Sequence, residues 1–241
     1  VKAHGGPTAR TSTTFRLDIQ FWTSRGFAVL DVDYGGSTGY GKEYQKSLLG
    51  NWGVLDVDDV KYAALDRVDK GLANKDWICI DGSSAGGYTT LAALTFTDTF
   101  KAGASKYGIG DLSMLAQETH KFESRYMDRL IGPYPQAQSV YDERTPTKHI
   151  EQLNCPCILL QGDEDKVVPP SQAETMFQAL KSKGVPSSLV IYKGEQHGFR
   201  KSENIGHALL SEYFFFCKIF GFAPLPEQNF DGVRIGERIE V

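Results

Sequence analysis

Short apolar or β-branched runs bounded by Gly, Asp and Pro recur along this chain: Phe27–Val32, Trp77–Ile80, Ala102–Tyr107, Cys157–Leu160 and Ser188–Tyr192. Runs of this length and composition predict strands buried on both faces. Between them lie stretches with helical spacing. Asp56 to Lys70 puts Val57, Val60, Ala64 and Val68 on one face, Pro170 to Lys183 starts on a proline and repeats Ala173, Met176 and Leu180, and Ser202 to Phe216 ends in aromatics. Strands alternating with helices predict an α/β fold with a mostly parallel sheet covered by helices on both faces. The most apolar stretch, Tyr213 to Phe222, is interrupted by Lys218 and is too short for a membrane span, so it reads as a buried helix end.

At 241 residues and 41% hydrophobic composition the chain can bury one substantial core, and a single domain is expected. A net charge of -4 with no basic run argues against nucleic acid or an anionic membrane surface as partner. The four cysteines are too few for a disulfide framework, and Cys155-Pro-Cys157 has neither redox nor metal-ligand spacing. Cys79 and Cys157 fall inside strand patterns, so reduced core thiols and a cytoplasmic setting are expected.

In a parallel sheet, ligands gather at the carboxyl ends of the strands. The loop Tyr34 to Glu43 nearly spells a phosphate loop, with Gly36 and Gly41-Lys42 at the right interval, but Glu43 stands where a magnesium-binding hydroxyl is required. A loop shaping the rim of a site is the better account. After Trp77–Ile80 comes Gly82-Ser83-Ser84-Ala85-Gly86, the G-x-S-x-G pattern of a nucleophile elbow, in which the central serine is lifted above the sheet at a tight strand-to-helix turn. A base and an orienting acid should follow in that order. The loop after Ser188–Tyr192 holds His197, and the loop after Cys157–Leu160 offers Asp163, Glu164 and Asp165. An imidazole to take the serine proton and a carboxylate to fix its tautomer complete the set that acyl transfer needs.

Taken together, His4-Gly-Gly-Pro7, Gly35-Gly-Ser-Thr-Gly-Tyr-Gly41, Trp52-Gly53, Gly82-Ser-Ser-Ala-Gly-Gly-Tyr88, Gly162-Asp-Glu-Asp-Lys-Val-Val-Pro169 and Glu195-Gln-His-Gly-Phe199 make the chain resemble a known family. This is the prolyl oligopeptidase family of serine peptidases (family S9), in its catalytic domain and nearest the acylaminoacyl-peptidase and dipeptidyl-aminopeptidase-like branch. The resemblance implies an α/β-hydrolase fold over residues 1–222, with 223–241 left as a C-terminal tail. It also selects Asp165, three residues after the glycine and three before Val168. An oxyanion needs two aimed donors, which the resemblance assigns to the N–H of Ala85 and to Gly6 or Gly5, with the His4 side chain as an alternative donor. One departure is Gly35, where the wider family often carries an arginine.

The expected activity is therefore hydrolysis of peptide or acyl-peptide bonds through Ser84, His197 and Asp165 and an acyl-enzyme, with no metal or organic cofactor. The alternatives are a carboxylesterase using the same residues and an inactive hydrolase-fold binding module. Tyr88, Phe122 and Tyr126 are candidate pocket residues, although Phe122, Tyr126 and Leu130 also have the spacing of a helix core stripe, which is the reading that spacing favours. The family implies strands ahead of His4 and an upstream β-propeller that admits only short peptides. The chain thus reads as the C-terminal part of a longer protein whose hydrolase sheet lacks its N-terminal strands.

Overall fold

The computed structural model of the chain describes residues 1–118, 125–225, 230 and 232–241. Among them seven strands form one sheet: β1 (Lys2–Ala3), β2 (Asp31–Val32), β3 (Cys79–Ser83), β4 (Ala102–Lys106), β5 (Cys157–Gly162), β6 (Ser187–Tyr192) and β7 (Arg238–Glu240). The spatial order is β2-β1-β3-β4-β5-β6-β7, and every neighbouring pair is parallel. The helices are α1 (Leu17–Thr23), α2 (Lys42–Lys46), α3 (Leu55–Asp69), α4 (Ala85–Phe96), α5 (Leu112–Glu118), α6 (Tyr126–Leu130), α7 (Gln138–Arg144), α8 (Pro170–Ser182) and α9 (Ser202–Phe220). From β1 the chain steps outward to β2, then crosses back to β3 and continues the other way. The loops after β1 and β3 therefore diverge, and the crevice between them at the carboxyl ends is the topological switch point where a ligand site is expected.

Alternate side chains of the inner strands feed two separate cores, as a period of two requires. Leu159, Leu189 and Ile191 pack with Val57 and Val60 of α3, Leu91 of α4, and Met176 and Phe177 of α8. Ile158, Leu160, Val190 and Tyr192 face the other way, onto Trp22 of α1 and Phe215 and Phe216 of α9. Helix α4 is buried from Ala85 to Thr95, which explains why it is apolar all round. It fixes the end of β3, and so the elbow, in the middle of the molecule.

Several boundaries differ from the expected ones. The run Phe27–Val32 contributes only Asp31–Val32 to the ladder, because β2 is the outermost strand and β1 offers it just Lys2 and Ala3 as partners. Lys75–Trp77 forms a 3-10 turn capped by the Asn74 side chain, which accepts the Asp76 N–H at 2.9 Å, so β3 starts at Cys79 and Trp77 stays 54% exposed. Helix α9 runs on to Phe220 and stops where Gly221 turns left-handed (φ 71°), with the Phe222 N–H bonded to the Cys217 carbonyl. The segment after Phe222, expected only as a tail, supplies β7, paired with Leu189–Ile191 of β6. All four cysteines are free. Among the described residues no helix is long and apolar enough to cross a membrane.

Behind the elbow, Asp56 of α3 is fully buried and accepts the Gly53 N–H at 2.6 Å. Its other oxygen meets the Thr89 hydroxyl, which also lies 3.2 Å from the Ala85 carbonyl. Burial pushes this carboxyl up to about 6, against the bonds from Thr89 and Gly53. The protonated acid can donate to Thr89, which then donates to Ala85. Because the folded-state value lies above the unfolded one, the proton's contribution is complete below about 3.8 and is lost as pH rises through about 6. The loss is on the order of 3 kcal/mol, from roughly 1.4 kcal/mol per unit. Asp56→Asn mimics the protonated form, so wild-type stability should decline relative to this variant between pH 4 and 6 and run parallel above about 6. Urea midpoints differing by a constant amount across that range would contradict it.

Candidate active site

At the turn from β3 to α4, Ser84 adopts φ 56° and ψ -121°, a conformation that L residues avoid and that functional turns retain. The glycines around it are demanded by close backbone approach. A Cβ on Gly86 would lie 2.0 Å from the Ala3 carbonyl oxygen, and one on Gly82 would lie 2.2 Å from the Gly86 oxygen. The Ser84 N–H donates to the Lys106 carbonyl at 2.9 Å, which anchors the elbow to the end of β4.

The loops after β5 and β6 bring the other two side chains to this point. Ser84 Oγ lies 2.8 Å from His197 Nε2, and His197 Nδ1 lies 2.8 Å from Asp165 Oδ2. Asp165 is 4% exposed, and its Oδ1 accepts the N–H groups of Val167 and Val168, each at 2.9 Å. A carboxylate in its ionised form can only accept, so in that form Asp165 selects the tautomer with the imidazole proton on Nδ1 and leaves Nε2 to accept from Ser84. Asp163 is exposed and accepts the Gly194 N–H at 2.8 Å instead; Glu164 is exposed.

Two residues given no role in the sequence reading touch this array. Gln161 Nε2 donates to Asp165 Oδ2 at 3.3 Å and to the Val168 carbonyl at 3.1 Å. A polar residue at the end of an otherwise apolar strand was its signal. Tyr107, with φ 38°, sets its ring edge-on to His197 at 5.0 Å and to Phe199 at 5.3 Å. Nothing local distinguishes it from an ordinary strand-end aromatic.

The loop after β1 lies against the elbow. A Cβ on Gly5 would stand 3.7 Å from Ser84 Cβ, whereas one on Gly6 (φ 124°) would meet the nitrogens of Thr8 and Ala9 in its own turn. Ala85 opens α4, where a first-turn N–H has no partner within the helix. His4 does not serve as a side-chain donor to this space, because both ring nitrogens are engaged elsewhere. Nδ1 bonds the Gly5 carbonyl and Nε2 the Ser37 hydroxyl, each at 2.7 Å, and the ring stacks on Tyr34 at 4.1 Å. Tyr126 is half-buried with its hydroxyl 2.7 Å from Thr8 Oγ1, beside this loop. Tyr88, expected in the pocket, has no exposed surface. Its ring packs on Trp52 and its hydroxyl donates to the Arg144 carbonyl at 2.9 Å, because its position on α4 points it into the core. Phe122 lies outside the described residues.

A cleft of about 470 Å³ lies beside the elbow, with Gly5, Ser83, Tyr107, Phe199, Lys106 and Glu212 among its lining residues. Neither Ser84 nor His197 lines it. Lys106 Nζ bridges Asp81 at 3.0 Å and Glu212 at 2.6 Å. Burial would push the Lys106 ammonium down, but Glu212 and Asp81 outweigh it and hold it charged. Burial likewise opposes ionisation of Asp81, and Lys2 and Lys106 hold its carboxyl well below the usual range. This cluster ties α9 to β3 and β4 beneath the elbow. Among the described residues no group of three or more His, Cys, Asp or Glu side chains is placed to hold a metal ion.

Residues 13–223 match the prolyl oligopeptidase family. The chain belongs to that family. Among its relatives, dipeptidyl aminopeptidase BIII of Pseudoxanthomonas mexicana is 33% identical over 207 residues, covering 83% of this chain and 30% of the relative. Acylamino-acid-releasing enzyme 1 of Oryza sativa subsp. japonica is 28% identical over 228 residues, covering 90% and 29%. A solved structure of a Mycobacterium tuberculosis puromycin-hydrolyzing peptidase superposes with a TM-score of 0.91 at 48% identity, over 92% of this chain and 34% of that one. This member of the prolyl oligopeptidase family thus has the α/β-hydrolase fold, and it spans about a third of the length of the relatives it matches.

Proposed function

We propose that this chain is the catalytic part of a serine peptidase that cleaves short peptides or acyl-peptides. The observation that carries the reading is the continuous contact from Ser84 through His197 to Asp165, at 2.8 Å and 2.8 Å. In the reaction, Ser84 Oγ attacks the scissile carbonyl as its proton passes to His197 Nε2, and Asp165 stabilises the imidazolium. The oxyanion is received by the Ala85 N–H and the Gly5–Gly6 backbone. His197 then protonates the leaving amine, which departs as the C–N bond breaks, and water resolves the serine ester by the same steps with His197 as base. Tyr126 and Thr8 are the wall of the acyl pocket in this reading, supported by their contact beside the oxyanion loop. The peptide class is supported by relatives described as a dipeptidyl aminopeptidase and an acylamino-acid-releasing enzyme. An upstream β-propeller that restricts entry is part of the proposal, and the greater length of those relatives leaves room for it. Four free thiols support an intracellular site of action.

The test compares an aminoacyl anilide, an acyl-aminoacyl anilide and a nitrophenyl ester. Both an anilide and the ester should turn over, with a burst of nitrophenol equal to the enzyme as the acyl-enzyme fills. Ester turnover with neither anilide cleaved would make the protein a carboxylesterase. No turnover and no burst would make it a binding module.

A further inference from the structure

The histidine loop is closed on itself by a side chain outside the triad, and we propose that Glu195 is a positioning residue that holds the His197 and Asp165 loops in register. The inference rests on the reading of Ser84, His197 and Asp165 as catalytic. Glu195 is 1% exposed. One carboxylate oxygen accepts the Arg200 N–H at 2.8 Å, and the other accepts the Lys201 N–H and the Asn204 side-chain amide, each at 2.9 Å. Only Gln196, His197, Gly198 and Phe199 lie between Glu195 and Arg200, so these bonds close a small ring of chain. Within it Gln196 and Gly198 form an antiparallel bridge, and His197 stands at the tip.

The same residue reaches the other loop through its backbone. Its carbonyl accepts the Glu164 N–H at 2.9 Å, next to Asp165, and its own N–H donates to the end of β6 at Tyr192. A Cβ on Gly162 would lie 2.4 Å from that carbonyl oxygen, so a glycine there is what lets the two loops touch. The carboxylate also holds the start of α9, accepting the N–H of its N-cap residue Lys201, whose own side chain makes no capping bond, and the side-chain amide of Asn204 in the first turn. Glu195 thus joins β6, the Asp165 loop and a 19-residue helix at a point two residues from the base. Burial alone would raise its carboxyl, but Asn204 and the two backbone donors outweigh it and hold it below the usual range. Three donors aimed at one carboxylate need acceptors on both oxygens. A glutamine has one acceptor oxygen, so it satisfies only one side of this arrangement and sets its amide hydrogens against the N–H on the other, Arg200 or Lys201, which distorts the ring.

The test uses Glu195→Gln beside Val60→Ala, a core change on α3 away from both loops, with both variants compared at matched loss of melting temperature. Two quantities are read: steady-state kinetics, and the low-field proton resonance of His197 Nδ1–H on Asp165, which requires no turnover. Glu195→Gln should lose the resonance and lower kcat ~30-fold with KM within about twofold, since displacement of a catalytic group by about 1 Å is worth up to ~10²-fold. Val60→Ala should keep both. A Glu195→Gln variant with the resonance intact and kcat within about threefold of wild type overturns the proposal, as does an equal loss in Val60→Ala. If Glu195→Gln does not fold, Glu195→Asp, which keeps the charge but draws it back by one methylene, is judged by the same two outcomes. A wild-type chain that shows the resonance but hydrolyses nothing would refute the peptidase reading and leave the positioning claim to be decided by the resonance.

Discussion

Ser84→Ala is expected to lower kcat by ~10⁶, while Ser83→Ala leaves it within ~10-fold. Ser83 is the last residue of β3 and Ser84 follows it, but only Ser84 occupies the strained turn and reaches His197. Ser84→Ala removes the attacking oxygen and changes little else. The turn is held by the Ser84 N–H on Lys106 and by the glycine contacts of Gly82 and Gly86, none of which uses the hydroxyl. Melting temperature should therefore stay within about 2 °C of wild type, the range of a surface-scale change. A variant that retains more than ~1% of wild-type kcat would mean that another group attacks the substrate.

Asp165→Asn should cost ~10⁴ in kcat, and Asp163→Asn less than about threefold. The asymmetry follows from hydrogen-bond direction. In Asp165→Asn the single amide oxygen is claimed by the Val167 and Val168 N–H groups, so the amide nitrogen faces His197. A donor there forces the imidazole to offer an unprotonated Nδ1, which puts its proton on Nε2, against the Ser84 hydroxyl. The base is then in the wrong tautomer although every atom is close to its place. Asp163 only accepts the Gly194 N–H, which an amide oxygen does equally well. Steady-state kinetics on one substrate separate the two. Equal losses, or the larger one in Asp163→Asn, would assign the orienting role to the wrong acid.

What could be read in advance was whatever is written in local constraints. The elbow glycines, the proline start of α8 and the apolar runs of β5 and β6 are each dictated by neighbours a few residues away, and they stand where expected. Strand β7 could not be read, because Arg238–Glu240 is a short, largely exposed edge segment whose register is set by β6, some fifty residues back. Tyr88 was misassigned for a related reason. Lying in a motif does not tell which way a side chain points from a helix that is buried all round, and this one points at Trp52. Glu195 stood in a quoted motif with no role, since its partners Arg200, Lys201 and Asn204 become neighbours only when the loop closes onto α9.

The central claim is that folding delivers one activated hydroxyl, that of Ser84. Treating the chain with a fluorophosphonate, digesting it and locating the adduct by mass spectrometry tests this without any assumption about substrate. The adduct should fall on Ser84, form much more slowly in Asp165→Asn and be absent from Ser84→Ala. An adduct on any other residue of the wild-type chain, or one that survives in Ser84→Ala, would contradict it.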